Sequence, residues 1–334
     1  MSAQLTLNSS VSADGLRPID PLRDLAQVAD LIEEAFAGEL EPSGRRSLQD
    51  LRALARMGPF TQWLARSDPY LHDVLGGFVW QADGRVVGNI TLQRGDSYGG
   101  RWQIANVAVD RAWRGRGIGR TLMEAALARI EEQHGSWAVL QVRNDNPPAL
   151  ALYQHLGFQP LTEELTLQLD QVASSTSPAQ PIPGLRAYHH SEWQARYVLE
   201  ASGRSEFAQW WRPIRSHDYM QVTESRITEK LWELAGRNRV RRWVLDGAHG
   251  GLAAWLEVDA RRWDGIHRIG ITLHPALRGQ MEALLLAHLL AFLHDYPRWP
   301  VRIEHSGEHP QLLEALSTAG FRVLRNHLAM RRKL

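Results

Sequence analysis

Residues 104–119 read IANVAVDRAWRGRGIG, and this stretch decides the fold. Its first part belongs to an apolar-rich run, Trp102–Val109, which is typical of a buried β-strand. The part after Val109 leads into Gly119–Glu131, where apolar residues recur on one face of a predicted helix. A strand, a glycine-rich loop and a helix in this order indicate an α/β fold.

The loop between this strand and this helix carries the first functional signal, in Gly115, Gly117 and Gly119. Glycines let the backbone come close to an anion, with several N–H groups turned toward it. The following helix adds the positive end of its dipole at the same point. The loop therefore predicts a pyrophosphate cradle. Three arginines are candidates for charge-assisted contacts: Arg114, Arg116 and Arg120.

Two other glycine-rich phosphate loops fit this stretch less well. The dinucleotide fingerprint requires G-x-G-x-x-G, whereas Gly115 and Gly117 are followed by Arg120 at the third position. A P-loop requires Gly-Lys-Ser/Thr after the glycines, and none follows. A plain glycine-rich connection with solvated arginines remains open from the loop alone.

A second motif lies about thirty residues further along the chain. Residues 146–153 read NPPALALY, and Leu156-Gly157-Phe158 follows. Asn146 is a favourable N-cap, proline suits the first helical position, and Gly157 suits the position just past a helix end. The pattern predicts a short helix over Pro147–Leu156.

With both motifs in order, residues Gln103–Pro160 resemble the GNAT superfamily of N-acetyltransferases. Its coenzyme motif, R/Q-x-x-G-x-G/A, is met by Arg114, Gly117 and Gly119. Asn146, Ala149, Tyr153 and Gly157-Phe158 meet its following segment. A weaker match extends back to about residue 16.

The resemblance implies that acetyl-CoA, as cosubstrate, lies where parallel strands near 104–109 and 137–142 splay apart. The pantetheine arm would pair with backbone of the first strand, and the pyrophosphate would lie on the loop. The implied coenzyme-binding residues are Val107, Ala108, Val109, Arg114, Gly115, Arg116, Gly117, Ile118, Gly119, Arg120, Asn146 and Tyr153.

Tyr153 is the candidate general acid, because a tyrosine hydroxyl can donate a proton to the departing thiolate. The alternative is a core tyrosine on the apolar face of its helix. The general base is not identified by the sequence. Candidates are a water held by backbone and Asn106, or one of the carboxylates Glu33, Glu34, Glu39, Glu41 and Asp96.

The pattern then repeats. HPALRGQMEA (274–283) lies over DRAWRGRGIG (110–119), and HPQLLEALSTAGF (309–321) lies over NPPALALYQHLGF (146–158). This repeat indicates a duplicated domain. The second copy has Met281 for Gly117, Leu316 for Tyr153 and His309 for Asn146, so we expect it to be degenerate and non-catalytic.

The sequence thus predicts an α/β protein of two tandem GNAT-like domains, each with a mixed central sheet flanked by helices. We expect a disordered tail at 1–15, a catalytic acetyl-CoA-binding domain at 16–170, a linker at 171–183 and the degenerate domain at 184–334. Predicted secondary structure includes helices at Leu25–Phe36 with Asp24 as N-cap, Gly44–Met57 and Thr61–Leu75, a hairpin at 76–95, and a strand at Leu165–Leu169 that closes the first domain.

Composition excludes several other chemistries. The chain has no cysteine, so a thiol acetyl-enzyme and Cys-ligated zinc are excluded. His305–His309 spells H-x-x-E-H, but Gly307 and Pro310 argue against the continuous helix that this zinc motif needs, and we expect no metal. The net charge of +1 predicts no nucleic-acid or membrane partner. The polar N-terminus lacks a signal-peptide pattern, which predicts a cytoplasmic protein.

The expected function is transfer of an acetyl group from acetyl-CoA to a primary amine of a small molecule or peptide, by direct attack in a ternary complex. The alternative is a non-catalytic protein that senses acyl-CoA or acts as a scaffold. The sequence leaves the acceptor and the oligomeric state open.

Overall fold

The computed structural model describes residues 14–38, 42–57, 76–95, 100–172, 181–220, 236, 238–247, 250–263 and 265–334. The predicted helix Thr61–Leu75 and the candidate bases Glu39, Glu41 and Asp96 lie outside these residues, as do nearly all of the predicted tail and most of the predicted linker. The chain forms two compact units. Unit 1 comprises residues 1–141, 151–159 and 330–334, and unit 2 comprises residues 142–150 and 160–329.

Unit 1 is built on a sheet whose strands follow the order β1-β2-β3-β4-β5. The strands are β1 (Gly15–Pro18), β2 (Gly77–Ala82), β3 (Arg85–Arg94), β4 (Arg101–Val109) and β5 (Trp137–Arg143). The helices are α1 (Pro21–Ala35), α2 (Pro42–Arg56), α3 (Ile118–Glu132) and α4 (Pro147–His155). Neighbouring strands are antiparallel from β1 to β4, and β4 and β5 are parallel. The sheet is therefore mixed, as predicted.

Helix α1 covers one face of this sheet. Its apolar stripe, which includes Val28 and Ile32, packs with Val79 of β2 and Ala108 of β4. The stripe was predicted, but Asp24 is not the N-cap. Asp20 caps the helix instead, and its carboxylate accepts the Leu22 N–H at 3.0 Å.

The helix begins four residues earlier than Asp24 would require because Pro21 fits the first helical position, where no N–H is needed. Asp24 is fully buried and pairs with Arg17 at 2.6 Å. Burial of a charged carboxylate is tolerated because this guanidinium compensates it.

Unit 2 repeats the same succession of elements. Its strands are β6 (Gln159–Leu169), β7 (Leu185–Ala187), β8 (Asn238–Asp246), β9 (Leu252–Arg261), β10 (His267–Leu273), β11 (Val301–Ser306) and β12 (Arg322–Lys333). Its helices are α5 (Trp193–Gly203), α6 (Glu206–Trp211), α7 (Glu282–Phe292) and α8 (Pro310–Thr318). The sheet order is β12-β6-β11-β10-β9-β8-β7, and a core cluster joins Leu256, Leu285, Leu289 and Leu312 across strands and helices.

The duplication is visible in the turn before each main helix. A short 3-10 turn, Arg111–Trp113 in unit 1 and Pro275–Leu277 in unit 2, follows the matching strand in each copy. Each turn is capped by the residue before it, since Asp110 and His274 accept an N–H two residues on. The predicted repeat is therefore present at the level of single turns.

Strand β6 does not close the first unit, contrary to the prediction for Leu165–Leu169. It pairs antiparallel with β11, with Leu167 opposite Ile303, and belongs to unit 2. Residues 330–334, at the other end of the chain, belong to unit 1. Strand pairing is set by contacts remote in sequence, which alternation of apolar residues does not encode. The predicted linker at 171–183 and the boundaries around it remain predictions.

No helix among the described residues is long and apolar enough to cross a membrane.

Candidate active site

The central feature of unit 1 is a gap between its two parallel strands. Pairing of β4 with β5 runs from Arg101 opposite Trp137 to Ile104 opposite Leu140 and ends there. Strand β4 nevertheless continues to Val109. Beyond Ile104, the edge of β4 that faces β5 has lost its strand partner. This is the splay that the family resemblance implied.

The backbone groups that face the gap follow from the pairing on the other side of β4. The Asp110 N–H donates to the Val87 carbonyl of β3 at 2.8 Å. Backbone hydrogen-bonding groups of successive residues in a strand point to opposite edges. Val109 and Val107 therefore turn their N–H and carbonyl groups toward the gap, whereas Ala108 faces β3, where it lies opposite Asn89.

The glycine loop begins at the end of the same strand. Gly115 and Gly117 both have left-handed backbones, with φ of +76° and +81°. Gly117 is the N-cap of α3, and no side chain in the described part of the chain caps the helix start. The first N–H groups of α3 are therefore left for another acceptor, together with the positive end of the helix dipole.

The space around the loop is open where an anion would approach. A Cβ built on Gly115 or Gly117 meets no atom of the described residues within 4 Å. At Gly119 a Cβ would lie 3.7 Å from Leu152 and 3.8 Å from Val109, which is ordinary contact. The loop thus fits the diphosphate of a coenzyme, with Gly119 packed behind it and Ile118 buried in the core.

The three arginines of the loop differ in their partners. The Arg114 Nε donates to the Val109 carbonyl at 3.0 Å, which ties the loop to the end of β4. The Arg116 guanidinium lies 4.4 Å from the ring centre of Trp113. Arg120 pairs with Glu124 at 2.8 Å on the exposed surface of α3. All three side chains are exposed, so each can reorient toward an anion.

Tyr153 lies on α4 and is 6% exposed. Its ring packs against Phe158 with centroids 6.0 Å apart, and Leu152 beside it contributes the contact at Gly119. Burial raises the pKa of Tyr153 to about 12, so the hydroxyl keeps its proton at neutral pH. The core and the donor interpretations of this tyrosine both remain compatible with its burial.

Asn146 stands at the start of α4, where its side chain accepts the Ala149 N–H at 3.3 Å. Gly157 follows the helix with φ of +82°. The predicted helix and both of its ends are confirmed. Asn146 is thus held by a local capping role, and its predicted contact with the coenzyme remains a prediction.

The candidate bases that the structure describes differ in their exposure and in their partners. Glu33 pairs with Arg52, which also binds Asp30 at 2.7 Å. Glu33 is thus already engaged in an ion pair with a side chain of α2. Glu34 is exposed on α1. The Asn106 amide donates to the Thr91 hydroxyl at 3.3 Å, so it is already engaged within the sheet.

In the equivalent loop of unit 2, the carboxylate of Glu282 accepts hydrogen bonds from the backbone N–H groups of the loop. The comparison of the two sequence repeats did not identify this residue. Glu282, which replaces Ile118, is 4% exposed, and its carboxylate accepts the Gly279 N–H at 2.7 Å and the Met281 N–H at 3.1 Å. His309, which replaces Asn146, lies 2.8 Å from the same carboxylate through its Nε2.

The backbone path of this second loop also differs. Met281 has φ of −123°, whereas the matching Gly117 has φ of +81°. The N–H donors of Gly279 and Met281 in this loop are satisfied by a protein carboxylate. Burial alone would raise the pKa of Glu282, but the loop N–H groups and His309 together lower it below its ordinary value.

The H-x-x-E-H sequence does not lie on one helix. His305 belongs to β11 and His309 precedes α8, as Gly307 and Pro310 predicted. Burial lowers the pKa of His305 to about 4. Within the described part of the chain, no group of three or more metal-binding side chains is placed to hold a metal ion.

Comparison with known proteins agrees with this geometry. Residues 33–158 match the acetyltransferase (GNAT) family. Residues 33–158 therefore form a GNAT acetyltransferase domain.

Several curated relatives match parts of the chain. A mycothiol acetyltransferase of Thermomonospora curvata is 31% identical over 144 residues, which is 43% of each chain. One from Clavibacter michiganensis is 30% identical over 211 residues, 62% of this chain and 64% of that protein. N-alpha-acetyltransferase RimI of Mycobacterium tuberculosis is 38% identical over 80 residues, 24% of this chain and 49% of that protein. The matched segments thus span less than two thirds of each of these relatives.

Solved structures share the fold over nearly the whole chain. A GCN5-related N-acetyltransferase from Sphaerobacter thermophilus has a TM-score of 0.59 at 16% identity, covering 95% of both chains. A tandem GNAT protein from the clavulanic acid biosynthesis pathway has a TM-score of 0.54 at 18% identity, covering 95% of this chain and 98% of that one. The chain therefore has the α/β fold of tandem GNAT proteins.

Proposed function

We propose that unit 1 transfers the acetyl group of acetyl-CoA to a primary amine, by direct attack of the amine in a ternary complex. The observation that carries this proposal is the gap beside β4, with the N–H groups of Val107 and Val109 turned into it next to the open glycine loop. The relatives named as acetyltransferases support the same chemistry.

The loop and the strand edge would hold different parts of the cosubstrate. The N–H groups at the start of α3 suit the diphosphate, and Arg114, Arg116 and Arg120 are close enough in sequence to add charge-assisted contacts. The edge of β4 suits the amide groups of the pantetheine arm, because it offers N–H and carbonyl groups without a strand partner. Acetyl-CoA supplies the activated acetyl group as a thioester.

The strand edge would also stabilise charge during transfer. Attack of an amine on a thioester carbonyl places negative charge on the carbonyl oxygen, and an oriented backbone N–H stabilises that charge. Loss of one such donor typically costs about 10²–10³-fold in turnover. The Val107 N–H lies nearest to the point where β5 departs, so we assign this role to it.

Tyr153 would assist the departure of the coenzyme thiolate. With its pKa raised to about 12 by burial, the hydroxyl is a weaker acid than a thiol, whose ordinary pKa is about 8.5. Complete proton transfer to the thiolate is therefore uphill, and we expect a hydrogen bond that strengthens as the thiolate forms. The chain has no cysteine, which leaves direct attack rather than a thiol acetyl-enzyme.

The names of the relatives bear on which molecule accepts the acetyl group. One relative is named mycothiol acetyltransferase and another N-alpha-acetyltransferase RimI, so the names of the relatives do not agree on one acceptor. A small-molecule or peptide primary amine is the acceptor we propose for this chain.

The experiment is release of free thiol from acetyl-CoA in the presence of a library of small amines and short peptides. Acetyl-CoA without an amine is the control for hydrolysis. Amine-dependent thiol release is expected. Tight binding of CoA with no thiol release for any amine would instead support the alternative, a non-catalytic acyl-CoA sensor or scaffold.

A further inference from the structure

A polar cluster joins β3 to β4, the strand whose other edge borders the gap. Asn89 of β3 is completely buried, and its Nδ2 donates to the Asn106 carbonyl of β4 at 3.0 Å. Thr91 lies between the two amides, with its hydroxyl 3.4 Å from the Asn89 Nδ2 and 3.3 Å from the Asn106 Nδ2. The candidate catalytic groups discussed above do not include Asn89 or Thr91.

The cluster surrounds an irregularity in strand pairing. Asn89 lies opposite Ala108 and Thr91 lies opposite Ala105, so one residue of β3 faces two residues of β4. This is a β-bulge, which inserts an extra residue into one strand. We identify Asn106 as the extra residue, because its φ of +52° is left-handed. Asparagine tolerates this conformation better than most residues.

The bulge sets the direction of every backbone group after it. Side chains and hydrogen-bonding groups alternate along a strand, so a shift of one residue reverses which edge each group faces. With the bulge, Val107 and Val109 face the gap. If pairing continued from Ala105 without the bulge, Val107 would lie opposite Asn89 and face β3, and Ala108 would face the gap.

The orientation of Asn89 is fixed by what it contacts. Its Nδ2 meets a carbonyl oxygen, and the reversed amide would place two acceptors against each other. In this orientation Asn89 Oδ1 is buried and has no hydrogen-bond partner among the residues that the structure describes. An unpaired buried acceptor destabilises a fold, so packing gives no reason to prefer asparagine over an apolar residue here.

We propose that Asn89 is a positioning residue for acetyl transfer: through the Asn106 carbonyl it holds the bulge that turns the Val107 N–H into the gap. The inference rests on the proposed function of unit 1, since it assigns the residue that aligns its oxyanion donor. Thr91 supports the same arrangement by linking the two amides.

The first test is Asn89→Asp, which keeps the shape of the side chain and replaces the donor by an acceptor facing the Asn106 carbonyl. We expect turnover to fall by about 10²–10³-fold, the usual effect of losing an oxyanion donor. CoA affinity should fall by less than about tenfold, because the glycine loop is untouched and the hydrogen bond from Asp110 to Val87 still holds the end of β4. In the parent, CoA should shift the Val107 backbone amide signal in NMR spectra, and this shift should be lost in the variant.

Gln81→Glu is the matched control. Gln81 is another buried amide of the same sheet, 1% exposed, and it accepts from Arg17 and Arg23 away from the bulge. The same change from amide to acid should leave turnover unaltered. Thr91→Val is a second variant of nearly equal volume, and we expect it to lower turnover by about tenfold while the protein stays folded.

Some results would overturn the proposal. If Asn89→Asp and Thr91→Val keep parental turnover, or lose it only in proportion to CoA affinity, Asn89 does not position the donor. If Asn89→Asp does not fold, Thr91→Val decides by the same comparison. If the parent itself releases no thiol with any amine, the proposed function fails, and the CoA-induced shift of the Val107 amide then decides whether Asn89 aligns that group.

Discussion

The proposed coenzyme cradle depends on the backbone conformation of a single residue, Gly117. It caps α3 with φ of +81° and with open space at its Cβ position, whereas Met281 in the second copy has φ of −123°. We predict that Gly117→Met abolishes CoA binding, because a side chain would occupy the space needed by the diphosphate. The left-handed backbone adds strain of about 1–2 kcal/mol, so the variant should fold with reduced stability. Calorimetric titration and chemical denaturation measure the two effects.

Gly84→Met provides a control with the same backbone strain. Gly84 lies in the turn between β2 and β3 with φ of +73°, and its Cβ would also meet nothing within 4 Å. This variant should lose similar stability and bind CoA normally. If Gly117→Met binds CoA as well as Gly84→Met does, the cradle lies elsewhere.

Tyr153 tests the chemistry of the leaving group. Tyr153→Phe keeps the ring that packs against Phe158 and removes only the hydroxyl. General-acid assistance is typically worth about 10²–10⁴-fold, and the pKa of about 12 places this hydroxyl near the low end. We predict that turnover falls by roughly 10²-fold while CoA affinity stays nearly constant. Steady-state kinetics with an accepted amine, and CoA titration, check this. Unchanged turnover would make Tyr153 a core residue.

Among the secondary-structure elements, the loop between β10 and helix α7 is stabilised by Glu282, whose carboxylate accepts two backbone N–H groups of that loop. We predict that Glu282→Gln destabilises the protein at pH 7, because two loop N–H donors and His309 lose their carboxylate, a loss of about 1–3 kcal/mol. Since the pKa of Glu282 is lowered on folding, its stabilisation is complete above the unfolded pKa. It disappears as pH falls through the lower folded pKa.

The measurement is the midpoint of urea denaturation for parent and variant between pH 7 and acidic pH. The difference should be constant near neutrality and shrink below about pH 4.5, the region where free glutamate protonates. Glu304→Gln is a suitable control, because Glu304 is exposed on β11. A difference that grows on acidification would contradict the assigned sign.

The elements also show what sequence could and could not predict. The strand–loop–helix order around Gly117 is local, and glycines at left-handed positions mark it directly. The bulge at Asn106 and the role of Asn89 depend on strand register, which emerges only when β3 and β4 pair. No sequence pattern marks Glu282 as the group that closes the second loop, because two of its partners are backbone N–H groups, which have no sequence signature. The pairing of β6 with β11 is non-local for the same reason.

At the scale of the whole molecule, the duplication raises the question of how many coenzyme sites the chain has. Unit 1 has an uncapped helix start beside two left-handed glycines, and unit 2 has an internal carboxylate on the corresponding N–H groups. An added diphosphate would have to displace Glu282 from Gly279, Met281 and His309, leaving a buried carboxylate without partners, which is strongly unfavourable. We therefore predict a stoichiometry of about one CoA per chain by calorimetric titration, with the heat of binding lost in Gly117→Met.

The titration should be repeated with Met281→Gly, which restores the glycine but keeps Glu282 in place. Because the carboxylate still satisfies the loop donors, this variant should also bind about one CoA. A second binding event in the parent would show that the carboxylate does not close the loop. A second event in Met281→Gly alone would show that the methionine, and not Glu282, is what closes it.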